Sequence, residues 1–210
     1  MTFQWRKWDG SPHWKHECVY LGADEWGDWI GQPIGWHSER PGARFDAAGP
    51  NVTLVPAVDH IGQRRKVTLL PLAGDFALTI NRDHPHNMRV YIDLGWDIRW
   101  SDDDPLLATG IDMDLDVIRI DGERPTAYGP SGTWVDDRDE WAEHRIRYGY
   151  PADVMTHLEA LAVDLEERVR ARIAPFDDAV PDFWLDTLAA LGLDRRPESD
   201  VQVPRPTLDE

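Results

Sequence analysis

Aspartate occupies every second position in the middle of the segment Gly110–Ile120, and an apolar residue follows each one. The aspartates are Asp112, Asp114 and Asp116, and the apolar residues are Met113, Leu115 and Val117. Successive side chains of a strand point to opposite faces, so a strand here places all the aspartates on one face. Neighbouring carboxylates on that face lie roughly 6.5–7 Å apart and repel one another. The strand therefore needs full exposure to water or a cation, and Mg²⁺ or Mn²⁺ is the natural partner of clustered carboxylates.

Two other structures are compatible with alternating aspartates. An edge strand with its polar face in solvent uses such charges to block pairing with other chains, and the residue pattern leaves this interpretation open. A calcium loop of the EF-hand type needs glycine at position six and glutamate at position twelve. Position twelve is Glu123, but position six is Val117, which does not make the sharp turn that glycine allows. The sequence therefore argues against an EF-hand.

The composition excludes several classes of partner. The chain has 210 residues and a formal net charge of −17, which argues against binding to nucleic acids or anionic membranes. A ligand with several phosphates would need a metal or a local basic cluster. Cys18 is the only cysteine, so neither an internal disulfide nor a cysteine metal site is expected. The N-terminus lacks a signal-peptide pattern, and no apolar run has the length of a membrane span. These features predict a cytoplasmic protein.

The order of predicted elements indicates an α+β fold. Many short strands, each bounded by Gly, Pro or Asp turns, precede a long helix between Pro151 and Pro175 and a shorter one from about Pro181 to Leu191. This order predicts an antiparallel β-barrel followed by C-terminal helices packed on it. We expect one domain over residues 1–193 and a disordered tail over residues 194–210. No glycine-rich phosphate loop precedes a helix, so a P-loop or Rossmann site is not supported.

Other carboxylates lie close to the aspartate segment in the sequence. Asp93 belongs to a predicted strand from Met88 to Leu94, and antiparallel pairing with the aspartate strand would place it beside the aspartate face. Asp137 and Glu140 are three residues apart and so share one side of a helical turn. These two side chains can bind a metal or complement the dipole at a helix N-terminus. The sequence leaves both roles open.

Basic and aromatic residues supply candidates for ligand contacts. The densest positive cluster, Arg64–Lys66, is either a phosphate contact or a solvated loop. Near the N-terminus, Trp14 lies between His13 and Lys15. Aromatic residues between cations can stack on bases, although they are more often half-buried strand residues.

Three segments together resemble one family, the FomD-like barrel hydrolases. The first comprises Asp9–Trp14 and Leu21–Gly35, the second comprises Tyr91–Leu94 and the aspartate strand, and the third comprises Asp137–Trp141 and Arg147–Pro151. The family consists of metal-dependent nucleoside di- and triphosphate phosphohydrolases and includes the fosfomycin-pathway enzyme that cleaves a cytidylyl phosphonate. The resemblance covers roughly residues 5–185, and its specific part is the ordered set of Asp93, the aspartate strand and the Asp-x-x-Glu turn.

The resemblance implies a set of metal ligands and leaves the proton donor open. The implied ligands of one or two ions, Mg²⁺ or Mn²⁺ with Co²⁺ as an alternative, are Asp93, Asp112, Asp114, Asp116, Asp137 and Glu140. The position of Asp93 is asparagine in many relatives, so a neutral oxygen ligand is tolerated there. Firmicute members carry an arginine near the start of the barrel, proposed as the proton donor. The matching stretch here, His13–His16, has none, and Lys15, His13 or a metal-bound water are the candidates.

The resemblance further implies hydrolysis of a phosphoanhydride bond in a nucleotide or nucleotidyl compound by metal-activated water. Asp116 or Glu140 is the expected proton acceptor. The expected substrate contacts are Trp14, Arg64, Lys66 and Tyr91. A nucleoside di- or triphosphate and a cytidylyl ester that releases CMP remain alternative substrates.

Two functions from other classes stay open at this point. A noncatalytic barrel can hold a metal or small ligand, and an acidic interaction protein would simply keep its aspartates solvated. A hydrolase should have a cation or water-activating group facing the carboxylates, which a binding protein can lack. The expected partner is a nucleotide or nucleotidyl molecule, with neither nucleic acid nor membrane, bound by a monomer or homodimer.

Overall fold

A computed structural model of the chain describes residues 1–56, 75–123 and 126–195. In these ranges the chain forms eleven strands and three helices. The strands are β1 (Thr2–Arg6), β2 (Pro12–Glu17), β3 (Val19–Ala23), β4 (Gly27–Gln32), β5 (His37–Arg40), β6 (Ala43–Asp46), β7 (Asn51–Pro56), β8 (Phe76–Asn81), β9 (Met88–Trp100), β10 (Leu107–Ile120) and β11 (Gly132–Asp136). The helices are α1 (Arg138–Arg147), α2 (Ala152–Arg170) and α3 (Ala179–Ala190).

All eleven strands belong to one mixed sheet. Its order is β3-β4-β7-β8-β9-β10-β1-β2-β5-β6, and β11 also pairs with β10. The predicted α+β class is confirmed, but the antiparallel barrel is wrong in two respects. Within the described ranges the end strands β3 and β6 do not pair, so the sheet is not closed, and β1 runs parallel to β10. Residue alternation predicts strands, whereas closure depends on pairings between strands far apart in the sequence.

One face of the sheet packs against the helices. Helix α2 contacts β10 and β11, and α3 contacts β4 and β7. The shared core contains Leu54, Leu78, Ile92, Met113, Leu115, Val117, Leu158, Leu165 and Leu185. Because Met113, Leu115 and Val117 lie in this core, their predicted segregation from the intervening aspartates is confirmed.

The predicted helices are present, with differences at their ends. The apolar stripe of α2 is buried as expected at Val154, Leu158 and Val169. Ile173, four residues after Val169 and within the predicted bounds of this helix, lies beyond its end and is 52% exposed. Likewise Phe183 of α3 is 62% exposed, because the face of α3 that meets the sheet is centred on Trp184 and Leu188.

The opposite face of the sheet carries a second apolar cluster, which positions β1. The ring of Trp5 lies directly on Gly95 of β9 and Gly110 of β10, where an added Cβ would be 2.9 and 2.7 Å from the ring. Only glycine leaves room for the indole at these two positions. The contact of Trp5 with these glycines fixes the end of β1, and Lys7 is the residue that follows this strand.

The first two residues of the predicted tail contact β2 and the loop that follows β4. Asp194 accepts a hydrogen bond from the backbone N–H of Ile34 at 2.9 Å, and Arg195 forms a salt bridge with Glu17 at 2.9 Å. The rest of that segment, residues 196–210, lies outside the described residues. None of the described helices has the length and apolar character needed to cross a membrane.

Candidate functional site

The aspartate segment of β10 contains a bulge centred on Asp114. Asp112 lies opposite Gly95 of β9, and Asp116 lies opposite Asp93, so four steps along β10 match two along β9. Asp114 has a φ of 56°, a left-handed conformation that aspartate tolerates better than most residues. Its N–H donates to Asp112 Oδ1 at 2.9 Å. Bulges of this kind re-aim side chains beside functional sites, and here the bulge gathers the carboxylates.

The aspartates are buried rather than solvated. Asp112, Asp114 and Asp116 are 8%, 5% and 4% exposed, and β10 has β9 on one side and β1 and β11 on the other. The edge-strand interpretation is therefore wrong. Burial of several charges without partners is costly, so the groups that face these carboxylates decide what the site can do.

Lys7 and His13 compensate two of the aspartates. The ammonium of Lys7 lies 3.0 Å from Asp112 Oδ2 and also donates to Asp114 Oδ1, and His13 Nε2 lies 3.1 Å from Asp112 Oδ2. Burial alone would lower the pKa of Lys7, but Asp112 and Asp114 outweigh it and raise that pKa. Burial would likewise raise the pKa of Asp112, yet the hydrogen bond from His13 and the charge of Lys7 lower it. The pair is therefore ionised at neutral pH.

Helix α1 contributes a second group of ligand atoms. His144 Nδ1 lies 2.7 Å from Asp114 Oδ2, and one ligand atom each from Asp114, Glu140 and His144 lie within 4.8 Å of one another. Glu140 and His144 are four residues apart, so both side chains project from one side of the helix. His144 was not predicted from the sequence, although its spacing from Glu140 is a signal that could have identified it.

A third group of carboxylates forms no salt bridge with any residue that the structure describes. The hydroxyl of Tyr91 donates a hydrogen bond to Asp116 Oδ2. The buried Asp116 Oδ1 has no hydrogen-bond partner in the described part of the chain. Burial and then neighbouring negative charge raise the pKa of Asp93 and of Asp116 well above the ordinary value. The pKa of Asp137 is raised by burial and then by Asp136 and Glu140. Within the described part of the chain, the site therefore carries more negative charge than its residues neutralise.

These residues fit a divalent cation. Carboxylate oxygens are the ligands that Mg²⁺ and Mn²⁺ prefer, and one imidazole nitrogen suits transition metals. The unpaired Asp116 Oδ1 and the raised pKa values of its neighbours mark an excess of negative charge. A bound cation would offset this charge.

A cavity of about 410 Å³ adjoins the carboxylates. Tyr91 and Asp93 form part of its wall, so the cavity and the carboxylate cluster share residues. Aromatic side chains including Trp14, Phe45 and Tyr128 line it. Most of its remaining polar lining is uncharged, from amides and hydroxyls. A flat, neutral and polar group fits such a space.

The structure brings together most of the predicted site residues, but not all. The six carboxylates and His13 lie in one cluster, and Tyr91 and Trp14 line the adjoining cavity. Lys15 is not in the cluster. It lies opposite Glu39 in the register of β2 and β5, and its ammonium is 3.1 Å from that carboxylate. Arg64 and Lys66 lie outside the described residues. Lys7, which the sequence analysis overlooked, takes the position expected for the cation.

The fold and the site together define a class: a large mixed sheet with helices packed on it and a buried carboxylate cluster faced by a lysine. No protein-family model and no curated protein matches the chain. Two solved structures share its fold. One is the phosphatase SC4828 with the non-hydrolysable nucleotide GPCP, at a TM-score of 0.60 and 14% identity over 97% of this chain and 91% of that one. The other is FomD in complex with CDP, at a TM-score of 0.56 and 12% identity over 81% and 83% of the two chains.

Proposed function

We propose that the protein is a divalent-metal-dependent hydrolase that cleaves a phosphoanhydride bond of a nucleotide. The observation that carries the proposal is the meeting of Lys7 with the buried aspartates, 3.0 Å from Asp112, at the edge of a cavity of about 410 Å³. The ammonium neutralises part of this buried charge, and in the proposed site it would also stabilise a negatively charged phosphate oxygen. Both structural neighbours were solved with nucleotides or nucleotide analogues bound, which supports a nucleotide as the ligand.

The carboxylates and His144 would hold the cation. The proposed ligands are Asp93, Asp112, Asp114, Asp116, Asp137 and Glu140, joined by His144. A bound divalent ion would neutralise phosphate charge and make a coordinated water more acidic. Activity measurements with Mg²⁺, Mn²⁺ and Co²⁺ would determine which ion the protein prefers.

The protein's own groups supply charge stabilisation and proton transfer. Water adds to phosphorus as the bridging P–O bond breaks, and the electron pair of that bond goes to the leaving phosphate oxygen. Asp116 is proposed to accept a proton from the attacking water, because its Oδ1 has no hydrogen-bond partner among the described residues. Lys7 stabilises the charge that develops on the leaving oxygen. His13 holds Asp112 in place for Lys7. With a nucleoside diphosphate the products are the nucleoside monophosphate and phosphate.

Product analysis tests this function. The purified protein would be incubated with nucleoside di- and triphosphates and a cytidylyl ester, with Mn²⁺, Mg²⁺, Co²⁺ or a chelator. We expect metal-dependent release of phosphate from the di- and triphosphates. If the protein releases CMP from the cytidylyl ester and does not hydrolyse the di- and triphosphates, the substrate is a nucleotidyl ester. No turnover with any metal would overturn the proposed function.

A further inference from the structure

A glutamine in the wall of the cavity has its amide fixed by the backbone. Gln32 ends β4 and is 6% exposed. Its Nε2 donates to Ser38 Oγ at 3.0 Å and to two backbone carbonyl oxygens, that of His37 at 3.1 Å and that of Glu17 at 3.3 Å. Carbonyl oxygens accept hydrogen bonds and cannot donate them. The NH₂ group therefore faces the two carbonyl oxygens, and this orientation of the amide also fixes the position of Oε1.

The fixed Oε1 of Gln32 keeps capacity to accept a hydrogen bond. The contacts that reach it come from Ser38 Oγ and Asn51 Nδ2, both at 3.4 Å. These distances lie beyond the usual range of about 2.7–3.2 Å. Ser38 Oγ is also 2.8 Å from His16 Nδ1, a closer partner for the hydroxyl. Oε1 is thus a buried carbonyl oxygen, held in place, with weak partners.

The rest of the cavity suits a flat heterocycle. Trp14 lines it, stacks on His16 at 5.8 Å with an interplanar angle of 15°, and has the guanidinium of Arg40 5.0 Å from its ring. These contacts fix the indole rigidly in the wall, and Phe45 and Tyr128 provide further aromatic lining on which a base can stack. On the same wall as Gln32, Thr53 and Thr79 contribute hydroxyls that bond each other at 3.0 Å. Stacking gives affinity for any base, so discrimination between bases falls to the polar atoms.

We infer that the cavity binds the nucleobase and that Gln32 Oε1 accepts a hydrogen bond from an exocyclic amino group. This inference rests on the proposed function and makes it more specific. The protein then prefers cytosine over uracil and adenine over hypoxanthine. Uracil and hypoxanthine carry an oxo group at the position where cytosine and adenine carry NH₂. An oxo group would set two acceptors against each other and leave Oε1 unpaired. Guanine carries both groups and is not diagnostic.

The test compares kcat/KM for CDP against UDP and for ADP against IDP. For the wild-type protein we expect a ratio of about 10 or more in each pair, the scale of losing one buried hydrogen bond. Gln32→Met, which keeps the length of the side chain and removes the acceptor, should bring both ratios close to one. Gln4→Met makes the same substitution on β1, outside the cavity lining, and should keep the wild-type ratios.

Other outcomes overturn the inference. Turnover of both members of each pair at equal rates by the wild-type protein contradicts it while leaving the proposed function standing. Ratios that persist in Gln32→Met also contradict it. If this variant does not fold, calorimetric titration of the wild-type protein with cytidine and with uridine decides: tighter binding of cytidine supports the role of Gln32, and equal affinity overturns it. Absence of turnover with any nucleotide is the separate failure of the proposed function.

Discussion

Lys7 and Asp112 are 105 residues apart in the sequence, and their charged groups meet at 3.0 Å where β1 runs parallel to β10. This pair joins the two parts of the site. The ammonium pairs with Asp112 and Asp114, while burial and neighbouring negative charge keep the pKa values of Asp93, Asp116 and Asp137 raised. A site divided in this way has a fixed positive charge at one end and room for a cation at the other.

Lys7→Met should remove most of the activity and weaken the fold when no metal is present. The loss of the charge from the reacting region should cost a factor of about 10² or more in kcat. In chelator the free energy of unfolding should fall by about 3 kcal/mol, since two buried aspartates lose their partner. Lys15→Met is the matched control, because Lys15 pairs with Glu39 at the surface. Equal effects of the two substitutions on kcat would contradict the role of Lys7.

Asp114→Asn should abolish metal-dependent turnover with little effect on the fold. Asparagine tolerates the φ of 56° about as well as aspartate does, so the change removes a charge and a ligand without adding backbone strain. Asp97→Asn makes the same substitution at a φ of 52° on an exposed part of β9. The measurement is phosphate release with a circular dichroism melt of each variant. Wild-type turnover in Asp114→Asn would rule out this ligand assignment.

Mn²⁺ or Mg²⁺ should raise the melting temperature, because the cation binds the folded carboxylate cluster and not the unfolded chain. At about 100 times the dissociation constant the gain is about 2.7 kcal/mol, or about 5–10 °C for a chain of this size. His144→Ala should reduce the shift, and His157→Ala should preserve it, since His157 bonds Asp75 and not the cluster. An unchanged melting temperature over a full metal titration would argue against a metal site.

His16 should make the fold less stable as the pH falls from about 6.5 to about 4. Burial lowers its folded-state pKa from 6.5 to about 4, so between these values the unfolded chain binds a proton that the folded chain does not. Relative to His16→Gln, the wild-type protein should lose about 2 kcal/mol between pH 7.5 and pH 5. Urea unfolding of both proteins at the two pH values measures this. A difference in unfolding free energy that does not change with pH would show that His16 titrates normally.

The sequence predicts the grouping of the carboxylates better than it predicts the arrangement around them. The alternation of Asp112, Asp114 and Asp116 with apolar residues is a local pattern, and the two faces follow from strand geometry. The bulge at Asp114 and the parallel pairing of β1 with β10 depend on contacts between distant segments, and local periodicity carries no record of them. Lys7 was missed for that reason. Lys15 was predicted as a proton donor because it lies in the stretch that matches the family. Cross-strand pairing instead places its ammonium beside Glu39.

The barrel prediction illustrates the same limit. Turn residues and short apolar runs identify many of the strands of the sheet, and the stripe Val154–Val169 identifies α2. Whether the ends of the sheet join depends on β3 and β6, which lie at the two ends of the strand order. No residue pattern within either strand encodes that relationship.

The most direct test of the central claim is the initial rate of phosphate release from CDP, measured with Mn²⁺ and with excess chelator, for the wild-type protein and Asp114→Asn. A metal-assisted carboxylate site predicts release by the wild-type protein in Mn²⁺ alone, and none by Asp114→Asn in either condition. Equal release in chelator, or release by Asp114→Asn at the wild-type rate, would contradict hydrolysis at this cluster.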